Sequence, residues 1–284
     1  MQGDGLITRA LRKAKHTWLV RNVWVRNWGT AREREQGGLL KRPQYAYGLF
    51  RATDVARYFG RSSVTVCEFG VASGDGLLNL VQLADEVSRE TGVTFRILGF
   101  DTGSGLPRTE GYKDHPEIWS AGDFPMVDQD ELVSKTQGKA EIVFGDIADT
   151  VDAFVESLES SCPLGFVSID VDVYSGAKSA LRCLAGPPET VLPATSLYFD
   201  DVGSFFANDW CGELAAIREF NEEHEWRKIG PDRSLFRRTQ LLAPWYACMY
   251  VCHALDHPAR SSPRDRKALT MAAHHELMLR SHLF

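Results

Sequence analysis

The chain has 284 residues, of which 44% are hydrophobic, and a formal net charge of −6. These values are ordinary for a globular protein with a sizeable core, and they exclude a disordered or fibrous chain. The negative charge argues against a nucleic-acid-binding protein, because surplus Lys and Arg hold phosphate backbones. The six cysteines form no CxxC pair, and no apolar run resembles a signal peptide or a bilayer-spanning helix, so we expect a cytoplasmic protein with buried thiols.

The first 60 residues predict a helical arm. Apolar side chains recur at helical spacing over residues 6–28, among them Val20, Trp24 and Trp28, with basic residues between them. We expect this stripe to pack on the main domain rather than to anchor a membrane, because packing is the commonest fate of such a face. The excess of basic residues over residues 1–42 leaves contact with an anionic substrate or a partner open.

From residue 64 onward, short apolar runs alternate with amphipathic stretches. The predicted strands are residues 64–69, 95–101, 140–144, 165–170 and 196–200, and the predicted helices are residues 77–90, 128–136, 147–158, 177–185 and 212–223. Strict alternation predicts an α/β domain with a doubly wound, mostly parallel sheet, which we place at residues 61–255. Residues 241–254 are again rich in β-formers, and residues 256–284 predict a loop and a helical tail from about Asp265.

One connection is unusually long. Between Asp101 and Asp128 the chain passes through several Gly and Pro residues and the large side chains Tyr112, His115, Trp119 and Phe124. Loops of this length in compact domains are usually functional or disordered. We therefore interpret this loop as a substrate lid, with a surface excursion of no function as the alternative.

The first predicted strand runs into a Gly-rich turn, and residues 68–76 are EFGVASGDG. Such a turn lets a ligand approach the backbone and the following helix N-terminus at the carboxyl ends of the strands. Asp101 ends the second strand, where a carboxylate can accept both hydroxyls of a ribose. Asp146 follows the third strand at the same edge, although it is also a candidate helix N-cap.

These residues resemble the first motif of class I S-adenosylmethionine-dependent methyltransferases, whose Rossmann-like fold is thereby implied. Glu68, Gly70 and Gly74 match that motif, while Ala72 stands where the family has glycine, which narrows the approach of the backbone to a ligand. The resemblance implies that the turn surrounds the methionine part of the cofactor, that Asp101 binds ribose and that Asp146 lies beside adenine. The implied cofactor-binding residues are Glu68, Gly70, Ala72, Ser73, Gly74, Asp101, Thr102, Asp146 and Ile147.

Carboxylates also follow the fourth and fifth strands, in IDVDVY at residues 169–174 and FDD at residues 199–201. Adjacent parallel strands bring their carboxyl ends side by side, so Asp172, Asp200 and Asp201 are expected to converge. Converging carboxylates repel one another unless a cation is present, and Mg²⁺ is the natural partner of oxygen ligands. The alternative is that these are capping and turn residues that share a sheet edge.

These two segments resemble the macrocin O-methyltransferase type, bacterial enzymes that methylate sugar hydroxyls in natural products. The resemblance implies that Asp172, Asp200 and Asp201 bind the metal, and that Asp170, Asp172 and Asp200 form the catalytic set, with Asp200 or Asp172 as the base. Catechol-type methyltransferases match less closely, because they end the second segment in Asp-Asn. The implied function is metal-dependent O-methylation of a small-molecule hydroxyl. The sequence leaves formation of a homo-oligomer open.

Two other functions remain open. Gly70, Gly74 and Gly76 also fit a short-chain NAD(P)-dependent dehydrogenase, and Tyr174 with Lys178 makes its Tyr-xxx-Lys pair. Ser161 lies at a suitable upstream spacing for that family's serine, although the family's serine ends the preceding strand and here a predicted strand separates Ser161 from Tyr174. In that family the tyrosine and lysine lie within a helix, whereas here a predicted strand places Tyr174 at a strand end. The second alternative is a catalytically silent binding protein of the same fold, since fold does not dictate function.

Overall fold

The computed structural model describes residues 18–235 and 243–261. Its strands are β1 (Ser63–Phe69), β2 (Thr94–Asp101), β3 (Glu141–Phe144), β4 (Leu164–Ile169), β5 (Val191–Phe199), β6 (Arg227–Pro231) and β7 (Met249–Ala254). Its α-helices are α1 (Trp18–Trp28), α2 (Ala31–Gln36), α3 (Pro43–Tyr58), α4 (Asp75–Thr91), α5 (Gln129–Thr136), α6 (Ile147–Glu156), α7 (Tyr174–Leu181) and α8 (Gly212–Glu223).

The strands form one sheet in the order β3-β2-β1-β4-β5-β7-β6. Strands β1 to β5 pair in parallel, and β7 is antiparallel to both β5 and β6. From β1 the chain builds the sheet outward through β2 and β3, and from β4 it builds the sheet outward in the opposite direction through β5. The boundary between β1 and β4 is therefore the switch point at which open α/β sheets bind ligands. The predicted doubly wound, mostly parallel sheet is confirmed.

Most predicted elements lie within two residues of the observed ones, because each amphipathic stretch has its own local start and stop signals. Asp128 and Asp146 accept hydrogen bonds from backbone N–H groups in the first turns of α5 and α6, as helix N-caps do. Strand β5 is longer than predicted and begins at Val191, while β6 escaped prediction altogether. Helix α7 begins at Tyr174, three residues earlier than predicted.

Helices cover both faces of the sheet. On one face α3 and α4 pack through side chains such as Tyr45, Phe50 and Leu80. On the other face α6, α7 and α8 pack through side chains such as Phe154 and Leu181. Helix α3 lies within the first 60 residues, yet its buried side is a full layer against β4 and β5.

The predicted N-terminal helix is described from Trp18 onward, as α1. Trp24 and Trp28 contact each other with ring centroids 5.1 Å apart, and Trp28 stays 67% exposed, so these tryptophans are not core residues. Residues 1–17 and the predicted tail helix from Asp265 lie outside the described residues. Within residues 18–235 and 243–261, no helix is long and apolar enough to cross a membrane.

Candidate active site

The carboxyl ends of the central strands are held level by hydrogen bonds that continue beyond the strands. Gly70 N donates to Phe100 O at 2.9 Å, and Asp170 N donates to Phe69 O at 2.9 Å. Gly70 has φ 86°, and a Cβ added there would lie 1.7 Å from the carbonyl oxygen of Asp170. Only glycine permits this close approach of the two strand ends.

Two residues at this edge with side chains adopt left-handed backbone conformations. Ala72 has φ 46° and Asp172 has φ 61°. A non-glycine residue in this region is uncommon, and such strain concentrates where a binding site requires it. Ala72 therefore replaces the glycine of the family motif but keeps a left-handed backbone conformation, which glycine would adopt without strain.

Asp101 ties the Gly-rich turn to the end of β2. Its Oδ2 accepts hydrogen bonds from Val71 N and Ala72 N, both at 2.8 Å, and its Oδ1 accepts one from Gly103 N at 2.7 Å. A carboxylate that receives three backbone N–H groups fixes the loop that receives them. Asp101 thus shapes the turn in this structure, a role that the sequence did not reveal.

Glu68 lies beneath the turn and is 2% exposed. Its Oε1 accepts a hydrogen bond from Tyr45 OH at 2.5 Å, and Tyr45 OH also accepts one from Ser168 Oγ at 3.1 Å. Burial raises the pKa of Glu68 to about 7, although Tyr45 and Arg42 act in the opposite direction. Glu68 contacts the helix side of the turn, where a Cβ at Gly76 would lie 2.1 Å from its Oε1.

A cavity of about 520 Å³ opens at this edge of the sheet. Predicted residues that line it are Gly70, Ala72, Asp101, Thr102, Asp146, Ile147, Asp170 and Asp172. Glu68, Ser73 and Gly74 are not among its lining residues. The structure thus brings most of the predicted cofactor-binding residues to one cavity, whose size suits a nucleoside-bearing ligand.

The long loop after β2 walls this cavity and is fastened to the domain. The buried carboxylate of Asp114 accepts hydrogen bonds from Ser175 N at the start of α7 (2.8 Å) and from Glu110 N within the loop (2.7 Å). Lys113 Nζ reaches Glu219 on α8 at 2.5 Å. Asp114 is a positioning residue that sequence reasoning missed, because an Asp in a polar loop carries no distinguishing signal.

A second cavity of about 230 Å³ lies on the other side of the same loop. Its lining includes His115 and Trp119 of the loop and Asp201 after β5. Asp172 lines both cavities, so the two spaces are neighbours at the end of β4. Trp119 packs against Phe124 of the larger cavity with ring centroids 5.8 Å apart, which places the loop between the two cavities.

Asp170, Asp172 and Asp201, which follow β4 and β5, have raised pKa values. The pKa of Asp170 is raised to about 8, that of Asp172 to about 7 and that of Asp201 to about 6, by burial first and by the neighbouring carboxylates second. Asp200 accepts a hydrogen bond from Tyr198 OH. These residues share one electrostatic environment, as expected from their strand ends.

The donor set suits a hard cation chemically. The buried Oδ2 of Asp201 has no hydrogen-bond partner, and Asp170, Asp172 and Asp201 lie close enough to other carboxylates at this edge for their pKa values to be raised. Within the described residues, however, no group of three or more His, Cys, Asp or Glu side chains is arranged to hold a metal ion. Metal binding by Asp172, Asp200 and Asp201 therefore stays a prediction.

The expectation that Tyr174 lies at a strand end and not in a helix is wrong, because Tyr174 and Lys178 both lie in α7. The third dehydrogenase residue, Ser161, is nevertheless not assembled with them. Ser161 precedes β4, is exposed and donates a hydrogen bond to Glu159, whereas Tyr174 follows the opposite end of that strand. A strand of this length separates its ends by about 20 Å. The hydroxyl of Tyr174 donates to Glu219 at 2.5 Å, and Lys178 also contacts Glu219.

Several solved structures with a similar chain fold are methyltransferases. A calicheamicin methyltransferase, CalS11, is 17% identical and aligns with 73% of this chain and 78% of its own, at a TM-score of 0.50. An O-methyltransferase from Bacillus cereus, solved with its SAH ligand, is 15% identical over 73% of this chain and 80% of its own, at a TM-score of 0.40. The O-methyltransferase TomG from Streptomyces achromogenes, solved with SAM, is 11% identical over 76% of this chain and 81% of its own, at a TM-score of 0.40.

No protein-family model and no curated protein sequence matches the chain. The alignment with CalS11, together with the strand order and the antiparallel β7, shows that the chain has the Rossmann-like fold of class I S-adenosylmethionine-dependent methyltransferases. The fold predicted from the Gly-rich turn and the strand-end acids is thereby confirmed.

Proposed function

We propose that this protein is an S-adenosylmethionine-dependent O-methyltransferase that acts on a hydroxyl group of a small molecule. The observation that carries the proposal is the cavity of about 520 Å³ at the switch point of the sheet, which contacts the Gly-rich turn, Asp101 and Asp146. A second, smaller cavity shares the lining residue Asp172 with it. Two neighbouring cavities suit a reaction in which a cofactor and an acceptor are held side by side.

The larger cavity has the features that the cofactor requires. The backbone of Gly70 and Ala72 lines the region proposed for the methionine part, and Asp101 lies beside the space proposed for the ribose. Ile147 supplies an apolar surface for a base next to the N-cap residue Asp146. Lys178 and Arg182 also line this cavity, but Lys178 pairs with Glu219 and Glu223 and Arg182 pairs with Asp152, so neither is assigned to the cofactor.

The chemistry requires little from side chains beyond position and one proton. The sulfonium methyl is already activated, so the protein must hold the acceptor oxygen in line with it and accept the hydroxyl proton. Asp172 and Asp200 are the proposed bases: Asp172 lines both cavities, and Asp200, which lines neither, follows the neighbouring strand β5 and acts on the pKa of Asp172. Mg²⁺ held by Asp172, Asp200 and Asp201 would lower the pKa of the acceptor hydroxyl when bound.

Cofactor binding is the direct test. Calorimetry should detect binding of S-adenosylhomocysteine and no binding of NAD(H). Asp101→Asn should weaken binding of S-adenosylhomocysteine by roughly tenfold or more, because the variant loses charged hydrogen bonds worth about 1.5–3 kcal/mol. Asp130→Asn, an exposed change on α5, is the matched control and should bind as the wild type does.

Binding of NAD(H) without S-adenosylhomocysteine would reject the methyltransferase in favour of the dehydrogenase alternative. Mass spectrometry of ligands that copurify with the protein is an independent check that needs no prior choice of ligand. A small-molecule sugar hydroxyl is the acceptor that the resemblance suggests, and products of methyl transfer to candidate acceptors would identify it. A cytoplasmic location and a homo-oligomer remain part of this proposal.

A further inference from the structure

The segment that leads into α3 packs against the Gly-rich turn. Lys41 Nζ lies 3.9 Å from Asp75 Oδ2, at the point where the turn becomes α4. One helical turn further on, the hydroxyl of Tyr45 lies beneath the turn, and a Cβ added to Gly76 would lie 3.1 Å from it. Arg42 lies between Lys41 and Tyr45 in the chain, so its side chain starts beside the turn.

The side chain of Arg42 is half-buried and is held over an aromatic ring. Its Cζ lies 5.2 Å from the ring centroid of Tyr45, and a cation over an aromatic face is attracted by the ring. The guanidinium interacts electrostatically with Glu68, beneath the turn, and with Asp170, after β4. Gly70 of the turn and Asp170 both line the larger cavity. Arg42 does not line this cavity itself, but its charge lies near the turn and the strand end that do.

Within residues 18–235 and 243–261, the guanidinium of Arg42 has no hydrogen bond and no ion pair. By contrast, Lys178 and Arg182, which line the larger cavity, form ion pairs with acidic side chains. A guanidinium forms its strongest hydrogen bonds with a carboxylate, whose two oxygens match its planar set of donors. A carboxylate is therefore the ligand group that fits Arg42 best.

The proposed cofactor carries one carboxylate, at the end of its methionine part. In the proposed binding mode this part lies along the backbone of Gly70 and Ala72, in the turn that the segment before α3 contacts. A carboxylate that leaves bulk water needs hydrogen-bond donors or a positive charge in return. The position of the methionine part and its need for a donor both match Arg42.

We propose, as a deepening of the proposed function on which it rests, that Arg42 binds the carboxylate of the methionine part of the cofactor. The guanidinium donates hydrogen bonds to this carboxylate and neutralises its charge. The N-terminal helical arm thus supplies one residue of the cofactor site, whose other proposed residues lie from β1 onward.

Two ligands that differ in the methionine part test this proposal. S-adenosylhomocysteine has the carboxylate, whereas 5′-methylthioadenosine keeps the nucleoside and the thioether sulfur but ends in a methyl group. Calorimetry measures the binding of both ligands to the wild type and to each variant. Arg42→Gln should bind S-adenosylhomocysteine at least about tenfold more weakly than the wild type, because charged hydrogen bonds are lost, and should bind 5′-methylthioadenosine within about twofold of the wild type.

Arg57→Gln is the matched control, since Arg57 is an exposed arginine in the last turn of the same helix. Helix α3 has 16 residues, so Arg57 lies about 20 Å along the helix from Arg42, and its replacement should leave the binding of both ligands unchanged. Arg42→Lys keeps the positive charge but loses the planar set of donors, so it should weaken binding of S-adenosylhomocysteine by about threefold. This milder change carries the test if thermal unfolding shows that Arg42→Gln does not fold.

The proposal is overturned if folded Arg42→Gln binds S-adenosylhomocysteine as tightly as Arg57→Gln does. It is also overturned if Arg42→Gln loses affinity for both ligands to the same degree, since Arg42 would then only shape the turn. A loss that occurs in Arg108→Gln instead, at the exposed loop arginine that lines the larger cavity, would assign the carboxylate to Arg108. Failure of the proposed function has a different signature, because the wild type itself would then not bind S-adenosylhomocysteine.

Discussion

Replacing Glu68 by Gln should change how the stability of the protein depends on pH. Glu68 is fully buried, and burial raises its pKa from 4.5 to about 7. Between these two values the folded state holds a proton on Glu68 that the unfolded state has lost. Because the folded state binds more protons there, the free energy of unfolding must fall as pH rises from about 4.5 to about 7.

The size of the effect follows from the shift. A difference of about 2.5 pKa units, at about 1.4 kcal/mol each, amounts to roughly 3 kcal/mol. This contribution is fully present below pH 4.5 and is lost once pH exceeds about 7. Gln cannot ionise, so Glu68→Gln should be more stable relative to the wild type at pH 8 than at pH 4.5, by about 3 kcal/mol.

Urea unfolding of both proteins at intervals from pH 4.5 to pH 8 measures this difference, and other titrating groups cancel when one curve is subtracted from the other. Tyr45→Phe is the informative companion variant. The hydrogen bond from Tyr45 lowers the pKa of Glu68, so its loss should extend the pH-dependent range upward. A stability difference between Glu68→Gln and wild type that stays constant from pH 4.5 to pH 8 would refute the reasoning.

Three further predictions concern the turn, the loop and the metal. Ala72→Gly should raise the free energy of unfolding by about 0.5–1 kcal/mol, because Ala72 has φ 46°, and an unchanged or lower value in urea unfolding would contradict strain at this residue. Asp114→Asn should lower the free energy of unfolding by about 2 kcal/mol and speed protease cleavage between residues 102 and 128, because Asp114 holds the loop to α7. Addition of S-adenosylhomocysteine should slow this cleavage. Equal cleavage of the variant and the wild type would show that Asp114 does not anchor the loop. Chelation by EDTA should abolish methyl transfer while the affinity for the cofactor stays nearly intact. Added Mg²⁺ should restore the activity of the wild type but not that of Asp200→Asn. Full activity of the metal-free protein would reject a role for the metal and leave the methyltransferase assignment in place.

Local patterns were enough to predict the central part of this fold. Apolar runs of strand length and amphipathic helices each carry their own period, so β1 to β4 and the helices α4, α5, α6 and α8 were placed within two residues of their observed bounds. The edge that holds the candidate site followed from the same reasoning, because residues at the carboxyl ends of parallel strands must meet. Asp101, Asp146 and Asp172 accordingly line one cavity.

Other features depend on contacts between residues far apart in the chain. Helix α3 is a layer of the core because Tyr45 reaches Glu68 and Ser168, partners that no local pattern specifies. Strand β6 is short, and its extended conformation depends on pairing with β7. Strand β7 in turn pairs antiparallel with β5. Neither element could be assigned from its own residues.

The functions of individual carboxylates were likewise decided by tertiary structure. Glu213 resembles an ordinary acid in the first turn of a helix, where it would complement the helix dipole, yet the fold buries it beside a cavity. Asp101 was predicted from its strand end, but its three backbone donors come from the turn after a different strand and from the residues that follow it. Sequence spacing specifies which residues reach the sheet edge, whereas burial and hydrogen-bond partners arise only when distant segments pack, and these set the chemistry of each carboxylate.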